Sequence, residues 1–386
     1  MSDRKSRAPG PPSTYPGAAP AENEDEKWMD VALTHGRGGR PSPNPHVGAV
    51  VVNAGTLVGA GHHERAGTEH AEILAMRAAG EKTAGGTLYV TLEPCNHFGR
   101  TPPCTEAILA AKIARVVIGC RDPNPHVEGQ GVEKLRAAGV EVVIGVREAQ
   151  ARALIAAWAK HITTGLPYVS LKLALSLDGR IATRSGVSKW VTGPDARAKV
   201  HVLRSRHDAI AVGIGTALAD DPRLTVRDAP GESPTRIVFD TKLRLPTTSR
   251  LAQSARQTPT IVLCGHEASV IAQEELTALG VECIRGPQSS EGRLDAHAAL
   301  RLLAQRGLVS LMVEGGAELA GSFLAGRLAD ELHAFVAPIL LGPRGRAGAV
   351  DWAGPDTPQQ APRIASPRWE LVGEDAYAHG PIIYPE

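Results

Sequence analysis

The chain has 386 residues, 42% of them apolar, enough for two or three globular domains. Its 42 basic and 41 acidic residues leave a formal net charge of +1, which argues against a nucleic-acid binder that works by neutralising phosphates. No apolar run approaches the ~20 residues of a membrane span. The stretch "MSDRKSRAPGPPSTYPGAAPAENEDEK" has no apolar core of a secretion signal. Cys95, Cys104, Cys120, Cys264 and Cys283 are therefore expected in a reducing cytoplasm, where clustered thiols suggest metal or catalysis before disulfides.

Residues 1–23 are rich in Pro, Ala, Gly and Ser, cannot bury enough apolar surface to order themselves, and read as a disordered tail. From Glu24, "EDEKWMDVALTHGRG" puts Trp28, Met29, Ala32 and Leu33 on one helical face, with acids in the first turn. "VGAVVVN" and "TLVGAGH" read as a hairpin turning at Ala54-Gly55. Helix "HAEILAMRAAG", strand "TLYVTL", helix "CTEAILAAK", strand "ARVVIGC", helix "GQGVEKLRAAG" and strand "VEVVIG" follow, predicting a mixed sheet covered by helices. "REAQARALIAAWAKHITTG" reads as one connecting helix, with a boundary near Thr164–Pro167 separating domains 24–165 and 166–386. The second half alternates again from "YVSLKLALS" to "ELHAFVAPIL" and closes on a hairpin in "WELVGEDAYAHGPIIY".

His70, Cys95 and Cys104 form a plausible three-ligand zinc set, which leaves a fourth position for water. A zinc ion so held lowers the pKa of its water towards ~7. Glu72, two residues from His70, suits a proton carrier rather than a ligand. Cys104 opens a helix, where dipole and free N–H groups favour thiolate. H-x-E followed by P-C is the zinc-deaminase signature; the bland alternative is a structural zinc site or scattered core residues. Here eight residues separate the cysteines, where cytidine and adenosine deaminases have two. His62 and His63 in "GHHERAGTEHAE" read as exposed loop residues, one of which could line the pocket, and His97 could reach a substrate. Cys120, Cys264 and Cys283 read as buried thiols without chemistry.

In the second half a dinucleotide G-x-G-x-x-G is absent. In "LVSLMVEGGAELAGSF" a strand ends at Glu314, and Gly315 and Gly316 let backbone approach a ligand. The N–H groups of the following helix then suit a phosphate. Many such turns hold no ligand.

"PNPHVGAVVV" and "PCNHFGRTPPC" resemble the deaminase half of the bifunctional riboflavin-biosynthesis deaminase/reductase family. "LKLALSLDGRIA", "SKWVTG", "LRSRHDAIAVGIGTALADDPRLTVR" and "VEGGAEL", in that order, resemble its reductase half, so the resemblance covers nearly everything from Glu24 onward. It implies a cytidine-deaminase-like three-layer α/β domain followed by a dihydrofolate-reductase-like one. It further implies Zn2+ and NADPH as cofactors, a phosphoribosylamino-pyrimidine as small-molecule substrate, and a homodimer or homotetramer. The 2-amino group would leave as ammonia, with Glu72 carrying protons; the ribosyl C1′ would then be reduced to ribityl.

Carried over by motif, Asn44 is a pyrimidine contact, unless it is only a turn residue between prolines. The nucleotide falls to Ala174, Trp190, Thr216, Asp220, Thr241 and the loop Gly316, Ala317, Glu318, Leu319, Ala320, Gly321 and Ser322. The ribose phosphate falls near Ser188, Leu224, Arg204 and Arg227, the guanidinium fork matching phosphate oxygens. Glu314 contacts substrate, and Lys172 is a candidate polar partner at the reacting carbon. Plainer roles stay open: Asp178 as an Asp-Gly turn, Arg204 as a solvated helix residue, Asp220 and Asp221 as a turn before Pro222. Two other readings compete, a deaminase with a degenerate C-terminal scaffold and an RNA-editing protein with a zinc module. The intact second-half motifs and the near-neutral charge disfavour them in turn.

Overall fold

The computed structural model describes residues 23–98, 102–125, 129–342 and 348–385. The segment read as a disordered tail lies outside the described residues except for Asn23, whose side chain accepts from Asp25 N at 3.2 Å and caps the first helix. That helix, α1 (Glu24–Gly36), buries Trp28, Met29, Ala32 and Leu33. It is followed by β1 (Gly48–Asn53), β2 (Thr56–His62), α2 (Ala71–Ala79), β3 (Thr87–Leu92), α3 (Cys104–Ala110), β4 (Arg115–Cys120), α4 (Gln130–Ala137) and β5 (Glu141–Ile144).

The five strands form one sheet in the order β2-β1-β3-β4-β5. β1 is antiparallel to both neighbours, and β3, β4 and β5 run parallel. The hairpin turns where expected, with Ala54 and Gly55 at φ 48 and 71, the left-handed pair that suits the twist of a two-residue hairpin. Helices lie so close on this sheet that a Cβ at Gly48 would stand 2.0 Å from Ala32 O, so only glycine fits there. Arg115 of β4 ties α1 down through paired hydrogen bonds to Asp25 of 2.7 and 2.8 Å.

The connecting helix is two helices, α5 (Glu148–Leu154) and α6 (Ala156–Thr164). Ile155 breaks the run at φ −100, ψ 6 and sinks its side chain into the first core. Apolar demand at one residue has overridden a sequence that is helix-forming throughout.

The second half comprises β6 (Tyr168–Ser176), α7 (Pro194–Ser205), β7 (Ala209–Gly213), α8 (Ile214–Asp220), β8 (Thr235–Phe239), α9 (Arg250–Gln253), β9 (Thr260–Gly265), α10 (Val270–Ala278), β10 (Glu282–Gly286), α11 (Ala296–Ala304), β11 (Ser310–Glu314), α12 (Ala317–Ala325), β12 (Glu331–Ala337), β13 (Arg363–Ile364), β14 (Arg368–Val372) and β15 (Asp375–Ile383). Ten strands share one sheet, β10-β9-β8-β7-β11-β6-β12-β15-β13 with β14 on β15. The run from β10 to β12 is parallel, as helical crossovers require, and the β14–β15 hairpin closes it antiparallel.

Alternation along the parallel strands feeds two cores. Val169, Leu171, Ala211, Leu311 and Val313 meet α11 and α12 on one face. Ile210, Val212, Val238 and Val262 pack with Leu251 and Leu276 on the other, where Met312 and Phe335 meet α7 through Val200 and Leu203. This alternation puts Ser170, Lys172 and Ala174 on the α7 face. Lys160 of α6 reaches Asp330, just before β12, at 2.5 Å, so the last helix of the first half is tied to the second sheet.

Candidate active sites

Three chain ends converge at the first site. His70 is the residue before α2, Cys95 follows β3 by three residues, and Cys104 is the first residue of α3. His70 Nδ1 lies 3.1 Å from Cys104 Sγ and 3.6 Å from Cys95 Sγ, and the three donor atoms all fall within 4.8 Å of one another. A tetrahedral zinc with its usual bond lengths calls for N···S separations of about 3.6 Å, which the Cys95 contact meets and the Cys104 contact reaches by opening about 0.5 Å. The thiols interact strongly. Hydrogen bonding with Cys104 holds Cys95 well below the usual thiol range, and the same contact together with burial pushes Cys104 up. Two such sulfurs share one negative charge unless a cation sits between them, which is the chemistry of a metal site.

Cys104 N also donates to Cys95 Sγ at 3.4 Å, and Thr105 N to Cys95 O at 3.2 Å, so the start of α3 clasps the residue it faces. Glu72, in the first turn of α2, is 4% exposed. Burial pushes its carboxyl up, and His70 pulls the other way. A buried acid with a raised pKa beside a metal-ligand set is suited to carry protons.

His63 proves a site residue rather than an exposed loop histidine. It is 3% exposed and stands edge-on to His70, with ring centroids 5.3 Å apart. Its Nδ1 donates to Glu69 O at 3.0 Å, which leaves Nε2 to accept from Asn44 Nδ2 at 3.0 Å. Asn44 is thereby aimed by a ring that borders the metal set. The signal was present in "GHHE": neighbours on a strand end point to opposite faces, and His62 takes the outer one, paired with Glu64 at 2.6 Å. His97 is exposed, and residues 99–101 beside it lie outside the described residues.

Glu93 is a second buried carboxylate that sequence reasoning passed over. It accepts from Asp122 N, Gly129 N and Val132 N at 3.3, 3.3 and 3.2 Å, fastening the loop after β4 and the head of α4 behind the metal set. A charged residue closing the apolar run "TLYVTLE" was its only trace. Cys120 and Cys264 are buried, Cys283 is half-buried, and none of the three joins a group of metal-ligating side chains among the described residues.

The second site is a cavity of about 1550 Å³ at the carboxyl ends of β6, β7, β8 and β11, where parallel sheets bind ligands. Ala174, Ser188, Trp190, Thr216, Asp220, Leu224, Arg227 and Thr241 line it, as do Lys172, Arg204 and Glu314 and, from the glycine turn, Gly316, Ala317, Glu318, Leu319 and Ser322. Ala320 and Gly321 do not. The helical period turns Ala320 into the core, and Gly321 packs against Asp351, whose O a Cβ there would strike at 1.9 Å. Gly315 and Gly316 adopt φ 72 and 85. A Cβ at Gly316 would lie 3.1 Å from Thr216 Oγ1, so glycine keeps this corner open for a ligand.

Arg204 is neither a solvated helix residue nor a free phosphate clamp. Its Nε and Nη2 donate to Glu314 Oε1 and Oε2 at 2.6 and 2.8 Å, and Nη1 to Thr225 O at 3.1 Å. The fork is spent on a carboxylate, which leaves Arg227, exposed and among the described residues bonded to Thr225 Oγ1 at 3.1 Å, as an available guanidinium in the cavity. Lys172 faces Glu314 as its cross-strand partner. Burial pulls the Lys172 ammonium down, with Glu314 opposing. Ser188 Oγ donates to Asp220 Oδ1 at 2.9 Å, so these two predicted contacts act as a pair, and Asp220 is more than a turn residue. Asp178 also exceeds a plain turn: it accepts from Leu341 N and Gly342 N at 3.0 and 2.7 Å, holding the segment after β12. Trp190, 67% exposed, stacks under Arg197 at the cavity rim.

Residues 22–120 match the cytidine and deoxycytidylate deaminase zinc-binding region, and residues 167–380 the RibD C-terminal domain. The chain is 41% identical over 354 residues to riboflavin biosynthesis protein RibD of Aquifex aeolicus, covering 91% of this chain and 96% of that one. It is 41% identical over 363 residues to RibD of Escherichia coli, covering 92% and 99%. Among solved structures, Acinetobacter baumannii RibD superposes with a TM-score of 0.82 at 38% identity over 94% of this chain and 99% of that one. A diaminohydroxyphosphoribosylaminopyrimidine deaminase/5-amino-6-(5-phosphoribosylamino)uracil reductase of Thermotoga maritima gives 0.81 at 35%, with the same coverage.

Proposed function

The chain belongs to the bifunctional riboflavin-biosynthesis deaminase/reductase family, and from that premise we propose how its own residues divide the two reactions. The first domain, residues 24–165, deaminates 2,5-diamino-6-(5-phosphoribosylamino)pyrimidin-4(3H)-one, and the second, residues 166–386, reduces the ribosyl group of the product to ribityl. The substrate class is the one named for the Thermotoga maritima relative. The observation that carries the reading is a buried Glu72 set beside three zinc-type donors whose ligand atoms lie within 4.8 Å of one another.

His70, Cys95 and Cys104 would hold Zn2+, which when bound supplies a water acidified towards pKa ~7. Glu72 takes a proton from the attacking water, passes it to the ring nitrogen and then to the departing amine; oxygen stays on the ring carbon and ammonia leaves. His63 fixes Asn44, which holds the pyrimidine edge. In the second domain NADPH supplies the hydride. Thr216, Thr241 and the glycine turn seat the nucleotide, while Arg227, Ser188 and Leu224 hold the ribose phosphate. Lys172, the register partner of Glu314, would stand at the reacting carbon. The protein's contribution is chiefly placement.

NADPH rather than NADH is supported by the cations at the Thr241 end of the cavity, Lys242, Arg244 and Arg293. Among the described residues Lys242 and Arg293 make no ion pair, so both are free to meet a 2′-phosphate. Arg293→Ala is expected to raise the KM for NADPH roughly tenfold, one charge-assisted hydrogen bond's worth, and to leave that for NADH unchanged. Arg227→Ala should raise the KM for the phosphorylated pyrimidine and not for NADPH. Steady-state kinetics with each substrate varied in turn checks both.

No helix among the described residues is long and apolar enough to cross a membrane. A cytoplasmic setting and a homodimer or homotetramer complete the reading; Trp369 and Leu371, 68% and 78% exposed on β14, offer an apolar face for self-association. The test of the whole is an assay of the purified, zinc-loaded chain with the diaminopyrimidine ribotide. Ammonia should appear without NADPH, and NADPH oxidation should follow deamination. A chain that consumes NADPH yet releases no ammonia would retain only the second activity.

A further inference from the structure

A second group of metal-type donors lies in the reductase half, on the strand beside Lys172 but outside the cavity lining. Glu331 and His333 stand two apart on β12, and His379 on β15 is the direct cross-strand partner of His333. All three side chains therefore share one sheet face. His333 Nε2 lies 3.5 Å from Glu331 Oε2, His379 Nδ1 lies 4.0 Å from Glu331 Oε1, and the ligand atoms all fall within 4.8 Å of one another. A tetrahedral zinc with bonds of about 2.0–2.1 Å places nitrogen and oxygen ligands about 3.3–3.4 Å apart. The His333 contact is near that spacing, and the His379 ring must close by about 0.6 Å to reach it.

The surroundings resemble those of a ligating imidazole. His333 is 5% exposed, and its Nδ1 is bonded to Tyr377 OH at 2.6 Å. That bond settles the ring and directs Nε2 at the carboxylate, as an outer partner does for a metal-bound histidine. Glu331 and His379 keep 26% and 24% side-chain exposure, so an ion can enter from solvent and a water can complete its shell. Two imidazoles and one carboxylate suit zinc, nickel or copper, and suit magnesium or calcium poorly. Two cations stand next to the group by register, Arg368 as the cross-strand partner of His379 and Lys172 as that of His333.

We propose that Glu331, His333 and His379 form a second divalent-metal site, specific for late first-row ions, that staples β12 to β15. It is separate from the His70, Cys95 and Cys104 set and needs none of the cavity residues. The alternative is a plain hydrogen-bonded cluster of the three side chains with no metal affinity.

The test uses the full chain with its first site filled. After equilibrium dialysis against micromolar Zn2+, elemental analysis should find two zinc ions per wild-type chain, and one in His379→Ala and in Glu331→Gln. Ions bound to the folded state raise its stability, so added Zn2+ should also raise the Tm of the wild type and leave that of Glu331→Gln where it was. The Gln variant keeps the shape of the side chain, which covers the case of a His379→Ala chain that folds poorly. One zinc per wild-type chain, or two in both variants, would overturn the assignment. Ammonia release reports on the first site alone, so its loss would be read separately.

Discussion

Glu72→Gln is expected to lower ammonia release by about 10²–10⁴-fold, the range that a positioned general acid–base group contributes. The zinc content should stay at the wild-type value, because the ligand set is His70, Cys95 and Cys104 and the amide leaves their positions alone. Stability should not fall either. The Glu72 side chain is 4% exposed and burial works against its ionised form, so a neutral isostere removes a desolvated charge rather than a favourable one. The reductase activity of the same preparation, assayed on deaminated substrate, serves as an internal control and should be unchanged. Ammonia release at the wild-type rate with zinc retained would remove Glu72 from the chemistry. Loss of zinc along with activity would make it a ligand or a fold element instead of a proton carrier.

Much of this molecule was legible in the sequence because its signals are local. The Ala54-Gly55 turn, the buried face of α1 and the two alternating series each depend on residues within one or two turns of each other. The metal set was legible for a different reason: few pairings of histidine and cysteine at those intervals serve anything else. What escaped is what depends on distant partners. Arg204 and Glu314 are 110 residues apart, and each alone reads as a ligand contact; only the fold reveals that they first bind each other. Glu93 reads as a strand-end charge until three N–H groups from another segment close on it. Ala320 and Gly321 were carried along with a contiguous motif, whereas a helix shows a ligand only part of its circumference. Ile155 breaks a helix for the sake of a core that no local pattern announces.

The Arg204–Glu314 pair yields the other large effect. Both groups are nearly out of solvent, with side-chain exposures of 13% and 8%, and their two bonds are 2.6 and 2.8 Å. Burial by itself would push the Glu314 carboxyl up; the Arg204 charge and hydrogen bonds, with Lys172 behind them, outweigh it and bring the group down to about 2. An acid depressed in the folded state stabilises the fold above its unfolded pKa of about 4.3, and that stability drains away as pH falls towards the folded value. Arg204→Met strips the carboxylate of its main partner and should cost about 3 kcal/mol at neutral pH, the lower end of the range for breaking a buried pair, because Lys172 remains. As pH drops from about 4.3 towards 2 the wild type loses the same interaction, so the two melting curves should converge in that window. Reductase turnover should collapse in the variant while ammonia release persists, since the pair sits in the second cavity alone. Arg204→Lys separates charge from geometry: a single ammonium restores part of the stability but cannot span both carboxylate oxygens, so turnover should recover less than Tm does. Thermal unfolding of the three proteins across pH 2–7, read beside both activities, decides the matter. A Tm difference between wild type and Arg204→Met that stays constant over that range would show that the ion pair is not what holds Glu314 in place.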